Sequence, residues 1–299
     1  MAAGDTFQEL SFRVRDGLRL YGRRYPVPGS RRTPVLCLAG LTRNSRDFHD
    51  VAQYLSSGPR AREVYTLDYR GRGKSDWDRN WKNYAVPIEA ADVIDYLTYA
   101  GLKEVAVIGT SRGGLVTMIM AAMQPSSIKL AIMNDIGPVI ERDGLMRIAS
   151  YVGRVPLPRD WQEAATIARD VNKRSFPGVD DETWGEVARQ WYNEKRGKPA
   201  PGYDPSLKNA LSVLDGPVPE LWPQFEALAK VPLLVLRGEN SDILSQATVD
   251  LMAERHAGLQ QFTVPKQGHA PLMKDLPTQE AIATFIARAD EEACALAAE

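Results

Sequence analysis

Cysteine is scarce in this chain, and long apolar runs are missing. The two cysteines, Cys37 and Cys294, have neither metal-ligand nor disulfide-framework spacing, so we expect both to be free thiols. The longest apolar stretch, residues 114–123, is about half the length that a helix needs to cross a bilayer. We therefore expect neither a disulfide scaffold nor a transmembrane segment.

An excess of charge of one sign is also lacking. The 37 basic and 38 acidic residues give a formal net charge of -1, which provides no overall field to attract nucleic acid or an anionic membrane. The first ten residues include Asp5 and Glu9 and lack the apolar run of a signal peptide. We expect a cytoplasmic protein that binds a small-molecule substrate, and neither nucleic acid nor membrane.

What the sequence does contain is a repeated strand-helix rhythm over residues 8–135. It opens with two alternating strands around a turn at Asp16-Gly17, which predict an antiparallel hairpin. The runs at 34–39, 64–68 and 105–109 are largely apolar, which is typical of a sheet that is buried on both faces. Helix-like stretches separate these runs, so the pattern predicts parallel strands joined by crossover helices.

The rhythm changes after Gly137-Pro138. From there to about Trp222 the pattern is helical and shows no strands, and a strand pattern resumes at residues 231–236. We predict an α/β core formed by residues 1–137 and 228–299, with residues 138–227 inserted as a helical cap.

The segment 109–113 reads Gly-Thr-Ser-Arg-Gly and fits the pattern G-x-S-x-G. It lies between an apolar strand and a helix, the context in which this pattern forms a sharp turn that exposes a nucleophilic serine. Gly109 and Gly113 supply the space that such a turn needs. The motif predicts Ser111 as the nucleophile. The alternative is a glycine-rich turn with an ordinary serine.

A serine hydroxyl needs a base at neutral pH, and three histidines are available. His269 follows the last predicted strand, so its loop leaves the sheet at the same edge as the Ser111 turn. His49 and His256 lie in or beside polar helical stretches and are interpreted as surface histidines. His269 is the predicted base.

The base needs a carboxylate partner that follows the serine and precedes the histidine in the chain. Asp242 satisfies this order and lies a few residues beyond the strand that ends at Leu236, which gives it the loop length to turn inward. Asp135, directly after the preceding predicted strand, is the alternative. We predict Asp242 as the acid.

Two backbone N–H groups are predicted to form the oxyanion hole. One belongs to Arg112, at the start of the helix after the serine, and the other to Leu41, in the loop after the third strand. Such donors stabilise the negative oxygen that develops during acyl transfer. A plain turn at Gly40 is the alternative interpretation of this loop.

The chain resembles the α/β-hydrolase superfamily almost throughout its length. The resemblance rests on four segments, residues 68–75 (Asp-Tyr-Arg-Gly-Arg-Gly-Lys-Ser), 109–113, 238–242 and 268–269. It implies an α/β-hydrolase fold, with a mostly parallel eight-stranded sheet flanked by helices, and acyl-enzyme chemistry that requires no cofactor or metal. We interpret the D-x-R-G-x-G-x-S pattern of residues 68–75 as structural.

Two positions depart from the pattern of this superfamily. Residues 39–40 are Ala-Gly where relatives commonly have His-Gly, so the histidine's hydrogen bond is either missing here or replaced by another. The residue after the serine is Arg112 instead of the common Met, Leu or Gln. Its guanidinium faces either the pocket or a buried carboxylate, and we favour the carboxylate.

These residues predict a serine carboxylesterase that hydrolyses a small-molecule ester through an acyl-enzyme on Ser111. A serine at this turn argues against haloalkane dehalogenases and epoxide hydrolases, which resemble this layout but use an aspartate. A carbon–carbon bond hydrolase or a lactonase of the same fold remains an alternative. A non-catalytic ligand-binding receptor is the alternative from another class.

Overall fold

The structure is a computed structural model that describes residues 6–296, and all of their side chains except those of 212–215 and 292–296. Cys37 is a buried free cysteine, whereas the prediction for Cys294 falls outside the described side chains. Within residues 6–296, no helix has both the length and the apolar character needed to span a bilayer.

Strands and helices alternate along the chain. The strands are β1 (Gln8–Arg13), β2 (Arg19–Tyr25), β3 (Val35–Leu38), β4 (Val64–Asp68), β5 (Val105–Thr110), β6 (Ile128–Asn134), β7 (Asn193–Lys195), β8 (Lys198–Ala200), β9 (Leu233–Gly238) and β10 (Leu259–Val264). The α-helices are α1 (His49–Leu55), α2 (Val86–Ala100), α3 (Arg112–Met123), α4 (Arg142–Tyr151), α5 (Trp161–Asn172), α6 (Asp181–Trp191), α7 (Trp222–Glu226), α8 (Gln246–Arg255) and α9 (Leu276–Leu296). Short 3-10 helices lie at Ser45–Phe48, Trp81–Asn83, Pro125–Ser127 and Pro205–Asp215.

In the described part of the chain, eight strands form one sheet in the order β1-β2-β4-β3-β5-β6-β9-β10. The β1–β2 and β2–β4 pairs are antiparallel, and the remaining pairs are parallel. Every residue of β3 and β4 is buried, as expected for strands that are covered on both faces. The predicted eight-stranded, mostly parallel sheet with an opening hairpin is confirmed.

Helices cover both faces of this sheet. Residues of α2, α3 and α7 pack against one face, and residues of α1 and α9 pack against the other. The parallel strands β5, β6, β9 and β10 run in the same direction, so the loops that follow them meet at one edge. That edge carries the residues after each of these strands, namely Ser111, Asp135, the loop 239–245 and His269.

The inserted segment, defined here as residues 135–232 between β6 and β9, contains α4 to α7 and a small hairpin. The hairpin is formed by β7 and β8 and differs from the expectation of a segment without strands. Its turn is Arg196-Gly197, and both residues have positive φ values, 54° and 74°. Two such residues in a row are typical of a tight hairpin turn, which explains why these short, charged strands pair.

Candidate active site

Ser111 lies at the turn between β5 and α3, as the motif predicts. Its φ is 51°, a conformation that costs energy for a residue with a side chain. A Cβ at Gly113 would lie 2.0 Å from the carbonyl oxygen of Leu38, and one at Gly109 would lie 2.7 Å from the backbone nitrogen of Gly114. The glycines therefore let α3 approach β3 and β5 closely, which holds Ser111 at the sheet edge.

The His269 imidazole lies beside Ser111, and its Nε2 is 2.8 Å from the serine Oγ. Its side chain is 7% exposed, so the contact is shielded from bulk water. The surface interpretation of His256 is wrong, because its ring is buried and its Nε2 lies 3.0 Å from the carbonyl oxygens of Leu228 and Val231. His49 contacts the Tyr25 hydroxyl. Of these histidines, the structure brings His269 to Ser111.

Asp135 is the carboxylate that contacts His269. Its Oδ2 lies 2.8 Å from the Nδ1 of His269, and the residue is fully buried directly after β6. The same carboxylate accepts hydrogen bonds from the Gly238 N–H (2.8 Å) and the Ser241 hydroxyl (2.6 Å). The loop after β9 thus wraps around Asp135 and fixes it against the imidazole.

The prediction that Asp242 orients the histidine needs correction. Asp242 forms a two-pronged ion pair with Arg147 of α4, with 2.8 Å between Nη2 and Oδ1. A Cβ at Gly144 would lie 2.1 Å from the Asp242 carbonyl oxygen, so α4 also packs directly on its backbone. Burial favours a raised pKa for Asp242, but the hydrogen bonds and charge of Arg147 outweigh it and lower the pKa. The Asp242 carboxylate therefore pairs with a residue of the inserted segment and not with His269.

The predicted oxyanion donors lie next to Ser111. Arg112 is the first residue of α3, where an N–H has no acceptor within the helix. The loop that carries Leu41 passes beside the serine, since a Cβ at Gly40 would lie 3.8 Å from the Ser111 Cβ. Across residues 6–296, neither the Leu41 N–H nor the Arg112 N–H donates a backbone hydrogen bond. Both N–H groups therefore stay predicted donors to a ligand oxygen.

A cavity of about 360 Å³ opens onto Ser111 and His269. Its mostly apolar and aromatic outer wall comes from the inserted segment and includes Ile148, Tyr151, Phe176, Trp184, Trp191 and Tyr203. Trp184 also belongs to a small core within that segment, so the same residue stabilises the wall and lines the cavity. The Arg43 guanidinium lies 4.4 Å above the Trp191 ring and pairs with Asp47. The Arg43–Asp47 pair is thus a charged part of the lining, which also includes the polar side chains of Asn172 and Gln190.

Comparison with known proteins identifies the family of this chain. The family model described as "Alpha/beta hydrolase family" matches residues 35–283. The chain belongs to the alpha/beta hydrolase family.

Three proteins that are similar to this alpha/beta hydrolase match most of its length. It is 32% identical over 263 residues to a protein named "3-hydroxybutyrate-oligomer hydrolase" from Cupriavidus necator, which covers 83% of this chain and 86% of the relative. The crystal structure of an alpha/beta hydrolase from Novosphingobium aromaticivorans is 37% identical, with a TM-score of 0.88 over 96% of this chain and 100% of that chain. A putative hydrolase from Rickettsia typhi shares the fold, with a TM-score of 0.82 at 21% identity, over 94% of this chain and 99% of that chain.

The D-x-R-G-x-G-x-S segment of this alpha/beta hydrolase is held by buried polar contacts. Asp68 accepts hydrogen bonds from the N–H groups of Ser45 (2.6 Å) and Lys74 (2.8 Å). Gly73 has a positive φ of 55°, and a Cβ there would lie 1.9 Å from the Asp68 carboxylate. These contacts support the structural interpretation of the segment.

The Arg112 side chain points to a buried carboxylate, the orientation that we favour from the sequence. Its Nε donates to Glu89 of α2 at 2.6 Å, and its Nη2 donates to the carbonyl oxygen of Tyr84 at 2.8 Å. Burial favours a raised pKa for Glu89, but the charges of Arg112 and Arg72 outweigh it and lower the pKa. Sequence reasoning missed Glu89. Its position on the face of α2 that also carries Val93 is the signal that would have revealed it.

Proposed function

We propose that this alpha/beta hydrolase cleaves carboxylic esters through an acyl-enzyme on Ser111. The observation that supports this most directly is a continuous chain of contacts, 2.8 Å from the Ser111 Oγ to the His269 Nε2 and 2.8 Å from the His269 Nδ1 to Asp135. Nucleophile, base and carboxylate in such a chain are the arrangement that activates a serine hydroxyl. The array opens into the cavity, where a substrate can reach it.

In the proposed reaction, the Ser111 Oγ attacks the ester carbonyl while His269 takes its proton at Nε2. Asp135 keeps the proton on Nδ1 and stabilises the imidazolium that forms. The N–H groups of Leu41 and Arg112 receive the negative oxygen of the tetrahedral intermediate. Collapse of this intermediate expels the alcohol, which takes the proton from His269. Water then attacks the acyl-enzyme while His269 accepts a proton from it. The second tetrahedral intermediate collapses, His269 returns this proton to the Ser111 Oγ, and the carboxylic acid leaves.

Short oligomers of aliphatic hydroxy acids are the substrates that we would test first. The Cupriavidus necator relative is named for hydrolysis of 3-hydroxybutyrate oligomers, and the similarity extends over most of both chains. Aliphatic esters also match the apolar wall formed by Ile148, Tyr151 and Phe176. Carbon–carbon bond hydrolysis would gain support from an Arg112 side chain in the pocket, but that side chain is turned toward Glu89.

The test is hydrolysis of p-nitrophenyl esters of increasing acyl length, and of 3-hydroxybutyrate dimer and trimer, by the wild type and Ser111→Ala. Ser57→Ala, an exposed serine beyond α1, is the matched control. We expect the control to match the wild type and Ser111→Ala to lose turnover. We also expect a fluorophosphonate to label the wild type at Ser111. A folded wild type that neither turns over any ester nor is labelled would contradict the proposal.

A further inference from the structure

Glu89 joins two buried arginines on the side of α3 that faces α2. Its Oε2 accepts the 2.6 Å hydrogen bond from Arg112, and its Oε1 lies 2.7 Å from Nη1 of Arg72. The side chains of Glu89 and Arg72 are fully buried, and that of Arg112 is 10% exposed. A buried carboxylate between two guanidinium groups is held in place, because each ion would be costly to leave unpaired away from water.

Each arginine in this cluster is connected to one of the two proposed oxyanion donors, Arg72 by a hydrogen bond to Leu41 and Arg112 through its own backbone. Arg72 donates from Nε to the carbonyl oxygen of Leu41 at 2.8 Å, which anchors the loop beside Ser111. Arg112 carries the other donor on its own backbone, and its side chain is anchored to Glu89 and to Tyr84. The two donors come from separate segments of the chain, and Glu89 is the group that both anchors share.

We infer that Glu89 is a positioning residue for the oxyanion hole, holding the Leu41 and Arg112 N–H groups at a fixed separation through Arg72 and the Arg112 side chain. This inference rests on the proposed ester hydrolysis at Ser111. Donors that are fixed in advance stabilise the transition state without reorganising during the reaction, so their spacing affects kcat more than ground-state binding. Glu89 pairs with Arg72 of the D-x-R-G-x-G-x-S segment, so it affects the site through that arginine and not by contact with the substrate.

The neighbouring carboxylate on α2 provides a matched control. Asp92 lies one turn after Glu89, is equally buried, and pairs with Arg70 of the same loop at 2.7 Å and 2.6 Å. Arg70 also pairs with Asp16 and Asp78, so it stays neutralised when Asp92 is changed. Asp92 and Arg70 thus repeat the chemistry of Glu89 and Arg72 without the contact to Leu41.

The experiment compares Glu89→Gln with Asp92→Asn, using steady-state hydrolysis of p-nitrophenyl butyrate and inhibition by butylboronic acid. The boronic acid forms a tetrahedral adduct with the serine, and its oxygen tests the oxyanion hole directly. For Glu89→Gln we expect kcat to fall by about 10- to 100-fold, less than or similar to loss of a donor, with KM changed by less than about 3-fold. The boronate Ki should rise in parallel. Asp92→Asn should keep both values within about 3-fold of the wild type.

A second pair of variants decides the case if Glu89→Gln does not fold. Arg72→Lys keeps the positive charge next to Glu89 but removes the planar fork that also reaches Leu41, and Arg70→Lys is its control. We expect the first alone to lower kcat and weaken the boronate. Unchanged kcat in Glu89→Gln or Arg72→Lys, or equal losses in the controls, would overturn the inference. A wild type without ester turnover or boronate binding would overturn the proposed function as well.

Discussion

His269 and Asp135 are 134 positions apart in the sequence, and the Nδ1 of one lies 2.8 Å from the Oδ2 of the other. Asp135 directly follows β6, the strand next to β5, which carries Ser111 at its end. Both Ser111 and Asp135 have positive φ values, 51° and 57°, immediately after neighbouring parallel strands. Adjacent central strands of the sheet therefore place Ser111 and Asp135, and His269 contacts both of them.

This relationship predicts unequal effects for the two aspartates. We expect Asp135→Asn to lower kcat by about 10³- to 10⁴-fold, because an amide that faces Nδ1 as a donor favours the wrong histidine tautomer. Asp242→Asn should keep kcat within a few-fold of the wild type, since Asp242 pairs with Arg147. Steady-state kinetics on one p-nitrophenyl ester measures both values. A large loss in Asp242→Asn with little loss in Asp135→Asn would contradict the assignment.

The sequence predicts that Ser111 and His269 lie together, but it does not identify Asp135 as the carboxylate that contacts His269. The reason is physical. The positions of Ser111 and His269 follow from local patterns, a glycine-flanked turn and a loop after the last strand. Asp135 and Asp242 both follow strands that end at the same sheet edge, so chain order alone admits either. Arg147, 95 positions before Asp242, draws Asp242 away, and a contact of that range has no local signal.

The Asp242–Arg147 pair also predicts how stability depends on pH. The pKa of Asp242 is lower in the folded protein than in the unfolded chain, because the Arg147 contacts outweigh burial. Its stabilisation is then present above the unfolded pKa, about 3.9, and is lost as the pH falls through the lower folded value. We expect Asp242→Asn to destabilise by at most about 1 kcal/mol at pH 7, since both side chains are about one-third exposed.

Thermal unfolding between pH 7 and pH 2.5 measures this effect. The difference in Tm between the wild type and Asp242→Asn should shrink as the pH falls below 4. When Asp242→Asn is introduced into the Arg147→Met variant, it should cause no such difference at any pH. A difference in Tm that grows on acidification would show that another group causes it.

The core strands were predictable, whereas the hairpin of the inserted segment was not. β3, β4 and β5 are short apolar runs whose burial follows from their composition. β7 and β8 contain three residues each, and Lys195 and Lys198 give them no apolar alternation. The one local signal is Arg196-Gly197, a turn in which glycine favours the positive φ that the hairpin requires.

Two glycine-to-alanine substitutions should have opposite effects on stability. At Gly113 the new methyl group would meet the Leu38 carbonyl oxygen at 2.0 Å, so α3 must move away from β3. We expect a loss of about 2 kcal/mol or more, by analogy with overpacked cores. At Gly185, inside α6, the methyl group meets no atom within 4 Å and should stabilise the helix by about 0.5–1 kcal/mol. Chemical denaturation of both variants checks the signs, and a stable Gly113→Ala would contradict the close packing.

The cavity wall predicts a change in acyl-length preference at Ile148. This residue lines the cavity from α4 and is 9% exposed, so Ile148→Trp places an indole in the space that a longer acyl chain would use. We expect kcat/KM for an octanoyl ester to fall by about 10-fold or more, while the value for an acetyl ester changes less, because each displaced methylene contributes about 1 kcal/mol or more.

Met146 provides the control on the same helix, since its side chain is 51% exposed and is not part of the cavity wall. Met146→Trp should leave the acyl-length profile unchanged. If Ile148→Trp and Met146→Trp shift the profile equally, the acyl chain does not occupy the space beside Ile148. If Ile148→Trp alone lowers the long esters, the acyl chain extends from Ser111 toward α4, and the helix that Arg147 ties to Asp242 sets the length limit of the substrate.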